Sequence, residues 1–516
     1  MTIATDTHRR DRILVGVGGP HHVSSRDTRD IVFGRLPPED DDEVDPFSRH
    51  VIDGSGCVHH RRGYWRGIGV VRLWPGTVAG VRYLASEVAT ATGGQLIGGD
   101  AVLDGAEFDS RVLRPGALFV PIVADRDGHS FIPAAVTNGA AAVLSAAGPA
   151  PGVPTIVVDN TSHAFVDLAR WARGRFGDQV VAITGSVGKT SVKDLTAAVL
   201  ATRWRTHAAL RSYNNDQGLP HTMLNAPDDT EALVFEMGMR GFGEIAKLCE
   251  VARPRIGIVT SVAAAHTERV GGIEGVARAK AELIDAMPAD GVGILNADQP
   301  LVAAMAARCA GRVVTFGLVG DVRVENLMLD DLARARFTLA TEWGRAEVAL
   351  TVPGAHMAIN AAAAAACGLV LDVPLDGVAT GLCGAGISPW RMELHRTVAG
   401  AVVINDAYNA NPASMRAALD TLAQLAGDRK VAMVGRMAEL ADPLTAHPAI
   451  AEYARELGIE LIAVGTALYG PEPESDPVAA LGSVGPGTAI LVKASRSAGL
   501  EKLAEQLLVV LGRPST

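Results

Sequence analysis

The stretch VAITGSVGKTSVKD, residues 181–194, decides the fold. An apolar, β-branched run ends at Thr184, passes two glycines and a lysine, and continues into helix-forming sequence. A glycine-rich turn between a strand and a helix aims backbone N–H groups and the positive helix end at one point, which suits a phosphate. Gly185, Ser186, Val187, Gly188, Lys189, Thr190 and Ser191 form the candidate nucleotide loop. Lys189 is expected on the terminal phosphates and Thr190 on Mg²⁺. The spacing is the short G-x-x-G-K-T, because Ile183 occupies the first glycine position of the longer G-x-x-x-x-G-K-[ST]. For the short form alone, an ordinary strand-to-helix turn with a surface lysine is the competing reading.

Moving outward, apolar runs at 179–184, 231–238, 255–262 and 291–296 alternate with helical sequence, the pattern of a parallel sheet with helices on both faces. The run ALVFEMG (232–238) ends on Glu236, and IGIVTSVAAAHTE (256–268) places His266 beyond the next strand. Strand ends that converge on one crevice are where open α/β sheets build sites. Taken singly, either side chain reads equally well as a helix cap or a satisfied polar group. A second alternating segment, with apolar runs at 401–408, 430–435, 460–465 and 489–495, fits another doubly wound sheet. The expected class is therefore α/β in three domains, at 81–176, 177–386 and 387–516, with a leader over 1–80.

Composition agrees with several cores: 516 residues, 48% apolar and 20% charged. Lys plus Arg is 47 against 57 Asp plus Glu, a net charge of −10, which disfavours nucleic acid as a partner. Five scattered cysteines with no C-x-x-C pair argue against a disulfide framework or a zinc site, so the expected compartment is the reducing cytoplasm. No long apolar run without polar interruption suggests a membrane span, and the alanine-rich AINAAAAAACGLVLDV (358–373) reads as a buried helix. The leader, with its acidic RLPPEDDDEVDPFSRH (35–50) and basic CVHHRRGYWRGIGVVRLW (57–74), reads as largely disordered, or as sequence preceding a later start near residue 81.

Seven motifs taken together resemble the Mur ligases, ATP-dependent amide ligases of bacterial cell-wall precursor synthesis. They are DSRVLRPGALFVPI (109–122) with DGHSFIPAAVTNGAAAV (127–143), ITGSVGKTSVKD, SYNNDQGLPHTML (212–224), FEMGMRGFGEIAKL (235–248), RMELH (391–395), NDAYNANPASMRAAL (405–419) and LVKASRSAGLEKL (491–503). The likeness runs from about residue 83 to the end. It is greatest to the branch that adds D-alanyl-D-alanine to UDP-N-acetylmuramoyl-tripeptide, since the DNPR and GKGHE of the diamino-acid-adding branch are absent. The resemblance implies a central P-loop ATPase domain, a Rossmann-like C-terminal domain, a monomer, ATP and Mg²⁺. It implies Ser110 and Arg111 as uridine-diphosphate contacts, and Lys189, Thr190, Glu236 and His266 as the phosphate and metal set. Lys280 matches a lysine that several members carbamylate. Asn296 matches the adenine contact, and Arg391 and Asp406 match groups that reach phosphates and ribose. Tyr408, Asn409, Asn411, Lys493, Ser495 and Arg496 match the acceptor side.

Four departures stand out: Met357 replaces the asparagine of the family's GxHN, Trp390 replaces a glycine, Arg436 stands where an acid is usual, and Ala494 replaces the glycine of KGSR. A different amine acceptor, or a nucleotide-binding paralogue without ligase activity, are the alternatives left open by the sequence. A carboxylate and an amine do not condense unaided, so the expected use of ATP is to form an acyl phosphate that the amine attacks.

Overall fold

In the computed structural model, residues 80–263, 270–438, 440 and 442–513 are described, with four two-residue strands before residue 60. Apart from those four strands, the expected disordered leader lies outside the described residues, as does His266. Three sheets of five or more strands follow one another along the chain, beside a two-stranded pairing of Arg82–Leu84 with Val102–Asp104. The first has five short strands in the order Gln95–Ile97, Thr155–Val157, Ala142–Ser145, Leu118–Phe119, Ala106–Glu107, parallel except for the first. The helix Thr161–Ala172 buries Phe165, Leu168 and Ala169 in the core these strands share with the next sheet. Its N-cap is Asn160, whose side chain accepts from His163 N at 3.0 Å.

The central sheet has nine strands. It is parallel from Thr206–Ala208 across Ala232–Glu236, Gln179–Thr184, Ile256–Val259, Val292–Asn296 and Arg312–Gly317 to Val322–Leu329, and ends in two antiparallel strands, Arg334–Thr341 and Gly344–Pro353. Register decides where chemistry collects. Ile183 pairs with both Glu236 and Ile258, so the carboxyl ends of three adjacent strands finish level with the glycine loop.

The helix Lys189–Leu200 buries Val192, Leu195 and Val199 on one stripe and lies against the helix His356–Val370. That second helix holds the alanine-rich stretch, with Ala361 to Ala366 all buried. Small side chains are needed there because the backbones approach closely: a Cβ added at Gly368 would meet Val199 Cγ1 at 2.4 Å, and one at Gly381 would meet Val199 Cα at 2.6 Å. No helix among the described residues is long and apolar enough to cross a membrane.

The third sheet runs Glu393–Arg396, Val402–Asp406, Thr488–Lys493, Arg429–Val434, Glu460–Ala463, with only the first strand antiparallel. Asp406 and Lys493 are register partners at the carboxyl ends of neighbouring strands. This alone places their opposite charges together.

Candidate active site

The glycine loop adopts the backbone that its composition requires. Gly185 has φ +153° and Gly188 φ +86°, and Gly188 caps the helix that starts at Lys189. Neighbouring strand ends hold the loop: Thr260 Oγ1 donates to Val187 O at 2.6 Å, and Val187 N donates to Ser261 Oγ at 2.9 Å. The first N–H groups of the helix Lys189–Leu200 have no partner within the helix and point, with its positive end, toward the loop. Lys189 Nζ folds back onto Gly185 O at 2.7 Å. Replacing Gly188 by alanine puts a Cβ 2.7 Å from Asn360 Oδ1 and forces a left-handed alanine, at a cost of about 1–2 kcal/mol. Gly188→Ala is therefore expected to lower Tm by several degrees and weaken nucleotide binding; unchanged melting and unchanged titration with an ATP analogue would contradict this.

A chain of hydrogen bonds leaves the loop. Thr190 Oγ1 donates to Glu236 Oε2 at 2.6 Å, and Asn214 Nδ2 donates to Glu236 Oε1 at 2.8 Å. Both Thr190 and Glu236 are buried. Thr190 Oγ1 also lies 2.9 Å from Ser212 Oγ, which in turn accepts from Arg391 Nη2 at 2.9 Å. The central sheet is thereby connected to the segment that leads into the third sheet. Arg391 lies over the Tyr408 ring, 4.3 Å from its centroid, while its buried Nε has no partner among the described residues.

Lys280, on the helix Gly272–Asp285, is 4% exposed, and no hydrogen bond or ion pair with a described residue reaches its ammonium. Burial first, and the Lys189 cation second, push its pKa well below the ordinary lysine range. His356 is likewise held below the usual imidazole range, mainly by burial.

These groups face one cavity of about 1240 Å³. The sequence-predicted residues brought together on its wall are the whole loop from Gly185 to Ser191, with Glu236, Lys280, Arg391, Asp406, Tyr408, Asn409, Asn411, Lys493, Ser495 and Arg496. Several are already engaged. Lys493 Nζ bonds Asp406 Oδ2 at 2.5 Å and Asn409 O at 2.8 Å, and is 1% exposed. Asn411 caps the helix Pro412–Gln424, its Oδ1 accepting from Ser414 N at 2.9 Å. Ser495 Oγ accepts from Ala438 N at 2.8 Å. Arg496 pairs with Glu501 Oε1 at 2.6 Å.

Three expected contacts lie elsewhere. Asn296 is not on the cavity wall; its Nδ2 donates to Thr260 O at 2.9 Å and its Oδ1 accepts from Asp298 N at 3.0 Å. Ser110 is buried between two strands of the first sheet in chain order, with its carbonyl accepting from Asn138 Nδ2 at 2.8 Å. Arg111 is exposed and paired with Asp109 at 2.7 Å. Sequence reasoning missed Ser212, Asn214, His356 and Asn360 as wall residues. The polar run SYNN (212–215) beside the glycine loop's expected crevice was the available signal.

Residues 183–368 match the family model of the Mur ligase middle domain, and residues 390–512 that of the Mur ligase glutamate ligase domain. The chain belongs to the Mur ligase family. Among curated relatives of this Mur ligase is the UDP-N-acetylmuramoyl-tripeptide--D-alanyl-D-alanine ligase of Mycobacterium bovis, 40% identical over 468 residues, covering 78% of this chain and 91% of the relative. The enzyme of the same name from Escherichia coli is 35% identical, covering 82% and 97%. Among solved structures, MurF of Acinetobacter baumannii matches with a TM-score of 0.75 at 27% identity, covering 84% of this Mur ligase and 100% of that chain. MurF of Thermotoga maritima, solved in complex with ADP, matches at 0.70 and 25% identity over 79% and 97%.

Proposed function

We propose that this chain is an ATP-dependent, ADP-forming ligase that joins D-alanyl-D-alanine to UDP-N-acetylmuramoyl-tripeptide in peptidoglycan precursor synthesis. One observation carries the reading: a single cavity is walled on one side by the glycine loop, Glu236 and Lys280, and on the other by Arg391, Tyr408, Asn409 and Arg496. The relatives of the same name supply the substrate assignment.

The chemistry follows from the groups present. The γ-phosphoryl group passes from ATP to the terminal carboxylate of the peptide, so the P–O bond to ADP breaks and an acyl phosphate forms. The amine nitrogen of the dipeptide then attacks the acyl carbon, the bond to phosphate breaks, and the amine proton is lost. The protein's part is to hold three anionic or polar reactants in line and to balance charge. Lys189 and the loop N–H groups hold the phosphates, and Arg391 approaches from the other domain with an Nε that no described residue engages. Arg496 and Asn409 form the acceptor end. Closing the two domains around the acyl phosphate keeps water from it.

Magnesium fits the oxygen donors at the strand ends. Glu236, Thr190 and His266 would hold it, and it would neutralise phosphate charge as the phosphoryl group moves. Lys280, buried with no anionic partner among the described residues, fits conversion to a carbamate, which would exchange a misplaced cation for an oxygen donor. We place Ser110 and Arg111 with the uridine diphosphate in the N-terminal domain, and the reaction in the cytoplasm by a monomer.

The test is release of ADP by the full chain with ATP, Mg²⁺ and the UDP-tripeptide, with and without D-alanyl-D-alanine. Turnover that requires both substrates is expected. Equal release without the dipeptide, or release only with another amine, would contradict the acceptor assignment.

A further inference from the structure

The turn that leads into the C-terminal sheet carries an aromatic residue where its backbone asks for glycine. Trp390 has φ +62° and Met392 φ +48°, both left-handed, a region that bulky residues occupy only when their surroundings fix them there. Two hydrogen bonds pin the turn: Trp390 N donates to Glu393 Oε2 at 3.1 Å, and Tyr408 N donates to Trp390 O at 3.2 Å. Glycine would make both as well. They account for the turn and leave the indole unexplained.

The indole lies against two guanidinium groups. Arg496 Cζ is 4.4 Å from its ring centroid and Arg211 Cζ is 6.0 Å away. Arg496 follows the C-terminal strand Thr488–Lys493, whereas Arg211 sits on the central-domain loop that carries Ser212 and Asn214. Glu501 holds the same Arg496 guanidinium through its Nη1. One ring therefore engages cations from both domains, and it does so where two like charges would otherwise oppose approach. The next residue repeats the pattern, since Arg391 bonds Ser212, the neighbour of Arg211. Residues 390–391 thus meet residues 211–212 at two adjacent points, and Ser212 continues to Thr190 and Glu236.

We propose that Trp390 is a positioning residue: its indole bridges Arg211 and Arg496 across the domain boundary, holding Arg391 at the phosphate end of the cavity and Arg496 at its acceptor end. The catalytic part of this inference rests on the proposed ligase reaction; the bridging part does not.

Two variants separate the ring from the backbone. Trp390→Gly removes the ring and relieves the left-handed strain, so the fold is retained, while Trp390→Phe keeps a ring on the same backbone. Steady-state kinetics on the full chain, binding of a non-hydrolysable ATP analogue, and hydrogen exchange of residues 209–214 and 388–396 with that analogue bound are measured for both. Trp390→Gly is expected to raise KM for D-alanyl-D-alanine about tenfold through Arg496, to weaken analogue binding about fivefold through Arg391, and to speed exchange in both segments, with Trp390→Phe close to the parent. Unchanged KM and exchange in Trp390→Gly would overturn the proposal, as would a loss in Trp390→Phe equal to that in Trp390→Gly. If the parent shows no dipeptide-dependent turnover, the ligase reading fails, and the exchange comparison alone decides whether the indole bridges the domains.

Discussion

Lys189→Ala is expected to lower ligation by about a thousandfold or more while leaving the fold intact. The lysine begins the helix Lys189–Leu200, and its ammonium bonds the loop carbonyl of Gly185 rather than filling a core. Removing it takes a cation from the terminal phosphates, where negative charge is redistributed as the phosphoryl group leaves. Alanine is also a strong helix former, so the helix start is not penalised. ADP release in a coupled assay and thermal melting by circular dichroism check the two halves together. Turnover within tenfold of the parent would refute the phosphate assignment, and a collapsed melting transition would show that the lysine supports the fold instead.

The second large effect is at Lys280. Lys280→Met should abolish measurable ligation, because the proposed carbamate oxygens disappear, yet it should stabilise the unmodified protein. The sign follows from linkage. In the folded state, burial and then Lys189 depress the Lys280 pKa, so between that lowered value and the unfolded value of about 10.4 the unfolded chain binds more protons. The penalty of burying the ammonium is complete below the folded pKa and is lost as pH rises toward the unfolded one. In carbonate-free, metal-free buffer the parent's Tm should therefore rise across this window relative to Lys280→Met, which should melt higher at neutral pH. Activity of the parent should increase on adding bicarbonate. A Lys280→Met protein that melts lower than the parent at neutral pH, or that retains turnover, would contradict this account.

The glycine loop was legible in the sequence because its geometry is local: the spacing of Gly185, Gly188, Lys189 and Thr190 itself specifies the turn. Glu236 and Lys280 were legible through the order of strands and family motifs around them. Ser212 was not. Its role depends on meeting Arg391 and Thr190, which lie 179 and 22 positions away in the chain, and no periodicity encodes such a meeting. Asn296 shows the opposite case, a motif residue whose amide is occupied by Thr260 and Asp298 instead of facing the cavity. Trp390 was legible only as a departure from a family glycine; that it keeps the left-handed backbone of a glycine while facing two arginines emerges from the structure.

The central claim is that ATP activates the peptide carboxylate before the amine attacks. The most direct measurement uses UDP-N-acetylmuramoyl-tripeptide carrying heavy oxygen in its terminal carboxylate, with ATP, Mg²⁺ and D-alanyl-D-alanine, and mass analysis of the phosphate released. The account predicts one heavy oxygen in each phosphate formed, delivered when the acyl–oxygen bond breaks. Unlabelled phosphate, formed at the rate of ligation, would contradict it.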